Sequence, residues 1–197
     1  MQNNINVNGI EVVCGSMFSG KTEELLKRLS RAQLAKLNVV VFKPIIDSRY
    51  DKNNIVSHNK NKMNCIAIQN ADEILSYIKN IDVIGIDEAQ FFDVNLINVC
   101  NMIANKGKRV IIAGLDMDFL GAPFGIMPTL LAIAERITKL NAICFECGNL
   151  ANYSFRKNKK KNLIEIGDTK EYQALCRLSF QKKNIKKCIT TTKQYYM

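Results

Sequence analysis

Residues 15–22 read Gly15-Ser16-Met17-Phe18-Ser19-Gly20-Lys21-Thr22, which fits the phosphate-binding pattern G-x-x-x-x-G-K-[ST]. The apolar run at 10–14 before it predicts a buried strand, and the amphipathic stretch at 21–37 after it predicts a helix. In this context the backbone N–H groups of the loop face phosphate oxygens, and the helix N-terminus adds positive potential. We therefore expect a nucleotide site with Lys21 on the β- and γ-phosphates and Thr22 on Mg²⁺.

The rest of the chain alternates between predicted strands and helices. Further strands are expected at 38–43, 63–68, 82–86 and 109–113, and helices at 71–79, 95–106 and 128–137. On the first helix we expect one apolar face and one outer basic face, formed by Leu25, Leu26, Leu29, Leu34 and Leu37 and by Lys27, Arg28 and Arg31 respectively. The alternation predicts an α/β fold of the P-loop, RecA-like type, with a parallel sheet.

The character of the sequence changes near residue 143, where short strands, basic turns and paired cysteines begin. We expect a nucleotide-binding domain over 1–143 and a small β lobe with a basic tail over 144–197. Three of the isolated cysteines, Cys14, Cys65 and Cys100, are expected to be buried small hydrophobes.

Composition limits the class of protein. The chain has 197 residues, 47% of them hydrophobic, which suffices for one main core. Its polar first residues and the lack of a long apolar segment predict a cytoplasmic protein without a membrane span. The net charge of +10 suits phosphate-rich ligands, but the lysines are scattered, so no nucleic-acid groove is expected. The basic run at 156–161 is interpreted as a solvated loop tip.

Two carboxylates, Asp87 and Glu88, follow the strand predicted at 82–86. A P-loop protein needs a carboxylate at the end of a neighbouring strand, so Asp87 is expected to hold Mg²⁺ together with Thr22. Glu88 can point toward an acceptor hydroxyl, which makes it the candidate general base. Two other roles for Glu88 stay open, namely polarising a water for ATP hydrolysis and capping the next helix.

Five segments, taken together and in this order, resemble the type II thymidine kinases from about residue 10 to residue 179. They are GSMFSGKT at 15–22, DEAQFF at 87–92, DMDFLGAPFG at 116–125, CFEC at 144–147 and EYQALCR at 171–177. The resemblance implies ATP-dependent phosphorylation of the 5′-hydroxyl of thymidine, in pyrimidine deoxynucleoside salvage, with Glu88 as the base. It also implies a homotetramer that is inhibited by thymidine triphosphate.

The resemblance further implies which residues bind the two substrates. ATP and its phosphates would be bound by residues 15–22 and by Asp87, Glu88, Ala89, Gln90 and Arg49. Arg49 fits an extra cation for the triphosphate as well as it fits an ordinary surface arginine. The base pocket would be built from Met17, Phe91, Leu115, Phe119 and Phe124, with Tyr172 closing over it on a lasso; each of these aromatic residues, taken singly, also fits an ordinary core position.

The paired cysteines indicate a metal site with one ligand missing. Cys144 and Cys147 form a CxxC knuckle, and Cys176 begins what the family makes a second knuckle of a zinc ribbon. That knuckle ends in Ser179, where a cysteine or histidine is expected. Three outcomes are open: three thiolates completed by water or by Cys188, a weakened site, or no zinc. We expect the three cysteines to bind structural Zn²⁺.

Two other functions are kept as alternatives. Residues 87–90 superficially resemble the DEAx signature of nucleic-acid helicases, so one alternative is a single-domain ATPase stimulated by nucleic acid, or a zinc-ribbon binding module. A chain of 197 residues cannot hold the two RecA-like domains of a helicase. The other alternative is a partly degraded kinase of low activity, suggested by Ser179 and by Asp168, which replaces a usual glycine. Nucleoside-dependent ADP release would separate these functions.

Overall fold

The computed structural model describes residues 8–46, 54–56, 62–157 and 171–184. The strands, in chain order, are β1 (Gly9–Gly15), β2 (Val39–Pro44), β3 (Asn54–Val56), β4 (Lys62–Asn64), β5 (Ile66–Ile68), β6 (Val83–Ile86), β7 (Arg109–Gly114), β8 (Arg136–Leu140), β9 (Ala142–Ile143), β10 (Leu150–Ala151), β11 (Tyr153–Arg156) and β12 (Tyr172–Leu175). The helices are α1 (Lys21–Leu34), α2 (Leu96–Asn105), α3 (Met127–Ile133) and α4 (177–184), and two 3₁₀ turns span Ala71–Ser76 and Ala89–Phe91.

A six-stranded sheet with the order β5-β2-β6-β7-β1-β8 forms the centre of the molecule, and every neighbouring pair is parallel. Strands β1 and β6 are wholly buried, as expected for a sheet that is covered on both faces. Helix α1 covers one face and α2 covers the other. The predicted parallel α/β fold is therefore confirmed, and the carboxyl ends of β1 and β6 lie at the same edge of the sheet.

The end of the third helix differs from its prediction. Helix α3 ends at Ile133 instead of continuing to 137, because Ala134 takes an extended conformation, with φ −75° and ψ 134°. Residues Arg136–Leu140 form β8, which pairs with β1 at the edge of the sheet. The side chains of this strand are exposed or only partly buried, which is typical of an edge strand. The strand therefore lacks the apolar run from which a buried strand is predicted.

The first helix is also shorter than predicted. It ends at Leu34, and Lys36 takes a left-handed conformation with φ 61°. The Leu37 N–H then donates to the Ala32 carbonyl at 3.1 Å, which closes the helix end. Leu34 is 83% exposed, so the expectation that it belongs to the buried face is wrong.

A buried carboxylate links α1 to the sheet. Glu11 on β1 accepts hydrogen bonds from Arg28 Nη1 at 2.8 Å and from Arg109 Nε at 2.7 Å. Arg28 Nη2 also donates to the Thr138 hydroxyl on β8 at 2.9 Å. The expectation that Arg28 lies on the outer face of the helix is wrong, because its side chain is only 14% exposed.

Two smaller differences concern the middle of the chain. The strand expected at 63–68 is divided into β4 and β5, and β4 pairs with β3 in an antiparallel hairpin. The helix expected at 71–79 is the 3₁₀ turn Ala71–Ser76. Cys14 and Cys100 are buried as predicted, whereas Cys65 is only partly buried.

A second, smaller core follows β8. It is built on two antiparallel pairs, β9 with β10 and β11 with β12, and on helix α4. The Tyr153 and Phe180 rings stack in this core, with centroids 4.5 Å apart. Among the described residues, no helix has both the length and the apolar character that crossing a membrane requires.

Candidate active site

The phosphate loop has the strand–turn–helix geometry predicted for it. It leaves β1 at Gly15, whose φ of 146° and close neighbours exclude a side chain: a Cβ would lie 2.8 Å from Ser19 Oγ and against the Leu140 carbonyl oxygen. Phe18 is left-handed, with φ 64°. Helix α1 then begins at Lys21. The loop therefore curls back on itself directly before a helix N-terminus, as an anion site requires.

The polar side chains of this loop fit an anion. Lys21 is largely buried, and its Nζ donates to the Ser16 carbonyl at 2.8 Å, so the ammonium lies over the loop. Ser19 Oγ is buried and meets no hydrogen-bond partner among the described residues. A buried hydroxyl of this kind is costly unless something binds it, and a phosphate oxygen would satisfy it.

The two residues expected to hold Mg²⁺ lie side by side. Thr22 Oγ1 donates to Asp87 Oδ2 at 3.2 Å. Asp87 directly follows β6 and is 5% exposed, and its N–H donates to the Phe42 carbonyl at 2.9 Å, which fixes the strand end. A hydroxyl and a carboxylate are hard oxygen ligands, so this donor set fits Mg²⁺.

The chain turns sharply between Asp87 and Glu88. Glu88 is left-handed, with φ 52° and ψ 42°, and its N–H donates to Asp87 Oδ1 at 3.0 Å. Its Oε2 accepts a hydrogen bond from Gln90 Nε2. The side chain makes no capping bond to the 3₁₀ turn that follows, which removes one alternative role. A non-glycine residue in this conformation is uncommon and is concentrated at functional sites.

The aromatic residues expected in the base pocket make two sets of contacts, one between Phe91 and Phe124 and one of Phe119 and Tyr172 with Arg156. Leu115, Phe119 and Phe124 all belong to the turn at 115–125 that follows β7. The Phe124 ring meets Phe91 edge-on, with centroids 5.8 Å apart. Phe119 and Tyr172 instead lie against a common partner, Arg156, on β11.

Arg156 was missed as a site residue. It is 1% exposed, its guanidinium carbon lies 3.7 Å from the Phe119 ring centroid, and its Nε donates to the Tyr172 hydroxyl at 3.2 Å. The interpretation of 156–161 as a solvated loop tip is therefore wrong at Arg156, although Lys157 is exposed and 158–161 lie outside the described residues. A guanidinium over an aromatic ring is held there by a cation–π interaction, so Arg156 fixes the position of Phe119.

Two strands of the smaller core, β10 and β11, form hydrogen bonds with the phosphate loop. The Met17 N–H donates to Ser154 Oγ on β11 at 2.9 Å, and the Ser16 hydroxyl donates to the Ala151 carbonyl on β10 at 3.2 Å. These contacts join residues far apart in sequence, and no motif signalled them. Two further predicted residues, Arg49 and Cys188, lie outside the described residues.

Three cysteines converge in the small core. The sulfur atoms of Cys144, Cys147 and Cys176 lie within 4.8 Å of one another. Burial raises the pKa of the Cys144 thiol, but hydrogen bonds from backbone N–H groups, first that of Cys176 and then those of Glu146 and Cys147, outweigh it and lower the pKa to about 6. Such surroundings favour the thiolate, which is the form that binds metal.

Ser179 lies beside this cluster. Its Oγ is 3.4 Å from Cys176 Sγ and 3.9 Å from Cys147 Sγ, which are themselves 3.6 Å apart. Zinc–thiolate bonds of about 2.3 Å give a tetrahedron with edges of about 3.8 Å. The three sulfurs therefore fit zinc, and the serine hydroxyl lies near the fourth corner.

Comparisons with known proteins show the family of this chain. The family model described as "Thymidine kinase" matches residues 8–180. A thymidine kinase of Bacteroides fragilis is 54% identical over 173 residues, which is 88% of this chain and 87% of that protein. The thymidine kinase of Porphyromonas gingivalis is 53% identical, covering 88% of this chain and 85% of that protein. For the thymidine kinase of a Rhodothermus species the identity is 49%, with coverages of 89% and 83%. On this similarity, over nearly the whole described chain, the protein belongs to the thymidine kinase family.

Proposed function

We propose that this chain transfers the γ-phosphate of ATP to the 5′-hydroxyl of thymidine, as a step in pyrimidine deoxynucleoside salvage. One observation carries the proposal: the Thr22 hydroxyl meets the Asp87 carboxylate at 3.2 Å beside the loop at 15–22, with Glu88 next in the chain. Membership of the thymidine kinase family supports ATP and a nucleoside as the two substrates.

The phosphate loop would hold the triphosphate. Its backbone N–H groups and the Ser19 hydroxyl would donate to phosphate oxygens, and Lys21 would turn from the Ser16 carbonyl to the β- and γ-phosphates. Thr22 and Asp87 would hold Mg²⁺, which would neutralise phosphate charge. Phosphoryl transfer needs little covalent chemistry from a protein, so positioning and charge neutralisation would supply most of the rate.

Glu88 would act as the general base. Its carboxylate would take the proton of the thymidine 5′-hydroxyl while that oxygen bonds to the γ-phosphorus and the bond to the leaving oxygen of ADP breaks. The left-handed turn at Glu88 supports this role, because it separates the Asp87 carboxylate, which contacts Thr22, from the Glu88 carboxylate, which contacts Gln90.

The thymine base would lie between apolar walls at the turn that follows β7. Aromatic and aliphatic side chains suit a methylated pyrimidine, and backbone groups can read its carbonyls and its N–H. The walls would be Met17, Phe91, Leu115, Phe119, Phe124 and Tyr172. Arg156 would hold two of these walls, because it contacts the Phe119 ring and the Tyr172 hydroxyl.

Several further parts of the proposal come from the family resemblance. They are a contribution of Arg49 and Ala89 to ATP binding and a homotetramer, whereas a cytoplasmic location and a division into domains at 1–143 and 144–197 are proposed from the sequence itself. We also propose structural zinc on Cys144, Cys147 and Cys176, supported by the close approach of their three sulfurs. Bound zinc would stabilise a lobe whose own core is small.

A nucleoside panel tests the proposal. The purified protein is incubated with ATP and Mg²⁺, alone and with each deoxynucleoside, and ADP and nucleoside monophosphates are quantified. We expect ADP release that depends on thymidine, with thymidine monophosphate formed in equal amount. ATP hydrolysis stimulated by DNA or RNA, with no nucleoside phosphorylated, would instead support the ATPase alternative. Negligible turnover of every nucleoside by folded protein would support the degraded kinase.

A further inference from the structure

The Gln90 side chain joins the candidate base to the pocket turn. Its Nε2 donates to Glu88 Oε2 at 2.5 Å, and its Oε1 accepts from the Leu115 backbone N–H at 2.9 Å. Gln90 is 4% exposed, so water competes little for either bond. One buried amide thus spans the turn after β6 and the turn after β7.

These partners allow the amide of Gln90 only one orientation. The Leu115 N–H can only donate, so it must meet the carbonyl oxygen of Gln90, and the NH₂ group is left facing Glu88. The NH₂ group can only donate, and an ionised carboxylate accepts at either oxygen. Gln90 therefore offers Glu88 a donor and limits the rotation of its carboxylate.

Gly114 leaves the space that the side-chain amide of Gln90 occupies. A Cβ on Gly114, the last residue of β7, would lie 2.9 Å from Gln90 Oε1 and 2.7 Å from Met127 Sδ. A side chain at 114 would displace the amide from the Leu115 N–H. The end of β7 thus has room for Gln90, whose two described side-chain bonds go to Glu88 and Leu115, whereas the family resemblance implies that Gln90 binds ATP.

We propose that Gln90 is a positioning residue, which aims the Glu88 carboxylate at the acceptor hydroxyl and couples that aim to the placement of the nucleoside-pocket turn. The inference rests on the proposed function, because it requires Glu88 to be the base. A base that is held in one direction keeps the reacting groups aligned, and a misplacement of about 1 Å can cost on the order of 100-fold in rate.

Two substitutions separate the two bonds of Gln90. Gln90→Glu keeps the shape and an acceptor for the Leu115 N–H but removes the donor to Glu88, whereas Gln90→Met removes both bonds. We expect kcat to fall by about 10-fold to 100-fold in both variants while the Kd for ATP changes by less than about twofold. Gln90→Met should also raise the KM for thymidine, because the pocket turn loses its anchor. Gln33→Met, on the exposed face of α1, is the matched control and should keep wild-type kcat.

A double-mutant cycle with Glu88→Gln provides the deciding result. With the base already removed, adding Gln90→Met should lower kcat by less than about twofold further. Thermal midpoints above the assay temperature, measured for every variant, exclude loss of folded protein as the cause. If Gln90→Met costs the same factor with and without Glu88, Gln90 does not act through Glu88 and the inference is overturned.

The cycle also separates this inference from the proposed function. If Glu88→Gln abolishes turnover while both Gln90 variants match the wild type, only the positioning role is wrong. If Glu88→Gln retains full turnover, the assignment of Glu88 as the base is wrong, and the role of Gln90 falls with it.

Discussion

Replacing Ser179 with cysteine should turn the proposed three-thiolate zinc site into a four-thiolate one. The Ser179 Oγ lies 3.4 Å from Cys176 Sγ and 3.9 Å from Cys147 Sγ. Because the sulfur–sulfur edges of a zinc tetrahedron are about 3.8 Å, a thiol at position 179 should reach the fourth corner without moving α4. Serine is a poor zinc ligand, so the wild-type site should bind zinc with three strong bonds only.

The expected gain follows from known values for metal sites. Even a residue that only orients a ligand is worth about 10-fold to 100-fold in metal affinity, so a direct thiolate should reach the upper end of that range. A 100-fold lower Kd adds about 2.7 kcal/mol to stability when zinc is saturating. For a chain of this size, each kcal/mol raises the thermal midpoint by about 2–4 °C, so Ser179→Cys should raise it by about 5–11 °C.

Competition with a chromogenic chelator measures the affinity, and the absorption spectrum of the Co²⁺-substituted protein reports the number of thiolates. Ser179→Ala is the matched control and should bind zinc within about threefold of the wild type, because the hydroxyl contributes little. Equal affinities of wild type and Ser179→Cys would refute this reasoning, because position 179 would then not lie at the metal. Wild-type protein purified without chelators and free of zinc would refute the site itself.

Three further predictions concern stability, the pocket and the buried thiols. Glu11→Gln should cost about 3 kcal/mol, because it leaves two arginines without their buried carboxylate, and should lower the thermal midpoint by about 6–12 °C. Arg156→Met should raise the KM for thymidine about 10-fold with little change in the KM for ATP, as steady-state kinetics would show. Burial raises the pKa of Cys14 to about 11 and that of Cys100 to about 12, so both thiols stay protonated at pH 8. Both should therefore remain unalkylated after treatment with iodoacetamide at that pH, as measured by mass spectrometry.

The parts of the site that are local in sequence could be predicted from it. The glycines, Lys21 and Thr22 lie within eight consecutive residues, and their spacing between an apolar run and an amphipathic stretch specifies a strand, a turn and a helix. Asp87 and Glu88 end another apolar run, and a parallel sheet brings such ends to one edge. The contact between Thr22 and Asp87 follows from those two local patterns.

Features that depend on distant contacts could not be predicted in this way. Arg156 belongs to a basic run, and only the tertiary fold places the faces of Phe119 and Tyr172 against it. The strand Arg136–Leu140 lies at the sheet edge and lacks an apolar run, so the sequence pattern predicts a helix that continues to residue 137. Leu34 fits the helical period but lies beyond the part of α1 that packs on the sheet.

Glu88 is proposed to serve as the base beside a P-loop that holds ATP, and a rapid-quench measurement of a single turnover tests this role most directly. With saturating ATP, Mg²⁺ and thymidine, Glu88→Gln should slow the formation of thymidine monophosphate by about 100-fold or more while the Kd for ATP is unchanged. A single-turnover rate within about twofold of the wild type would contradict the claim.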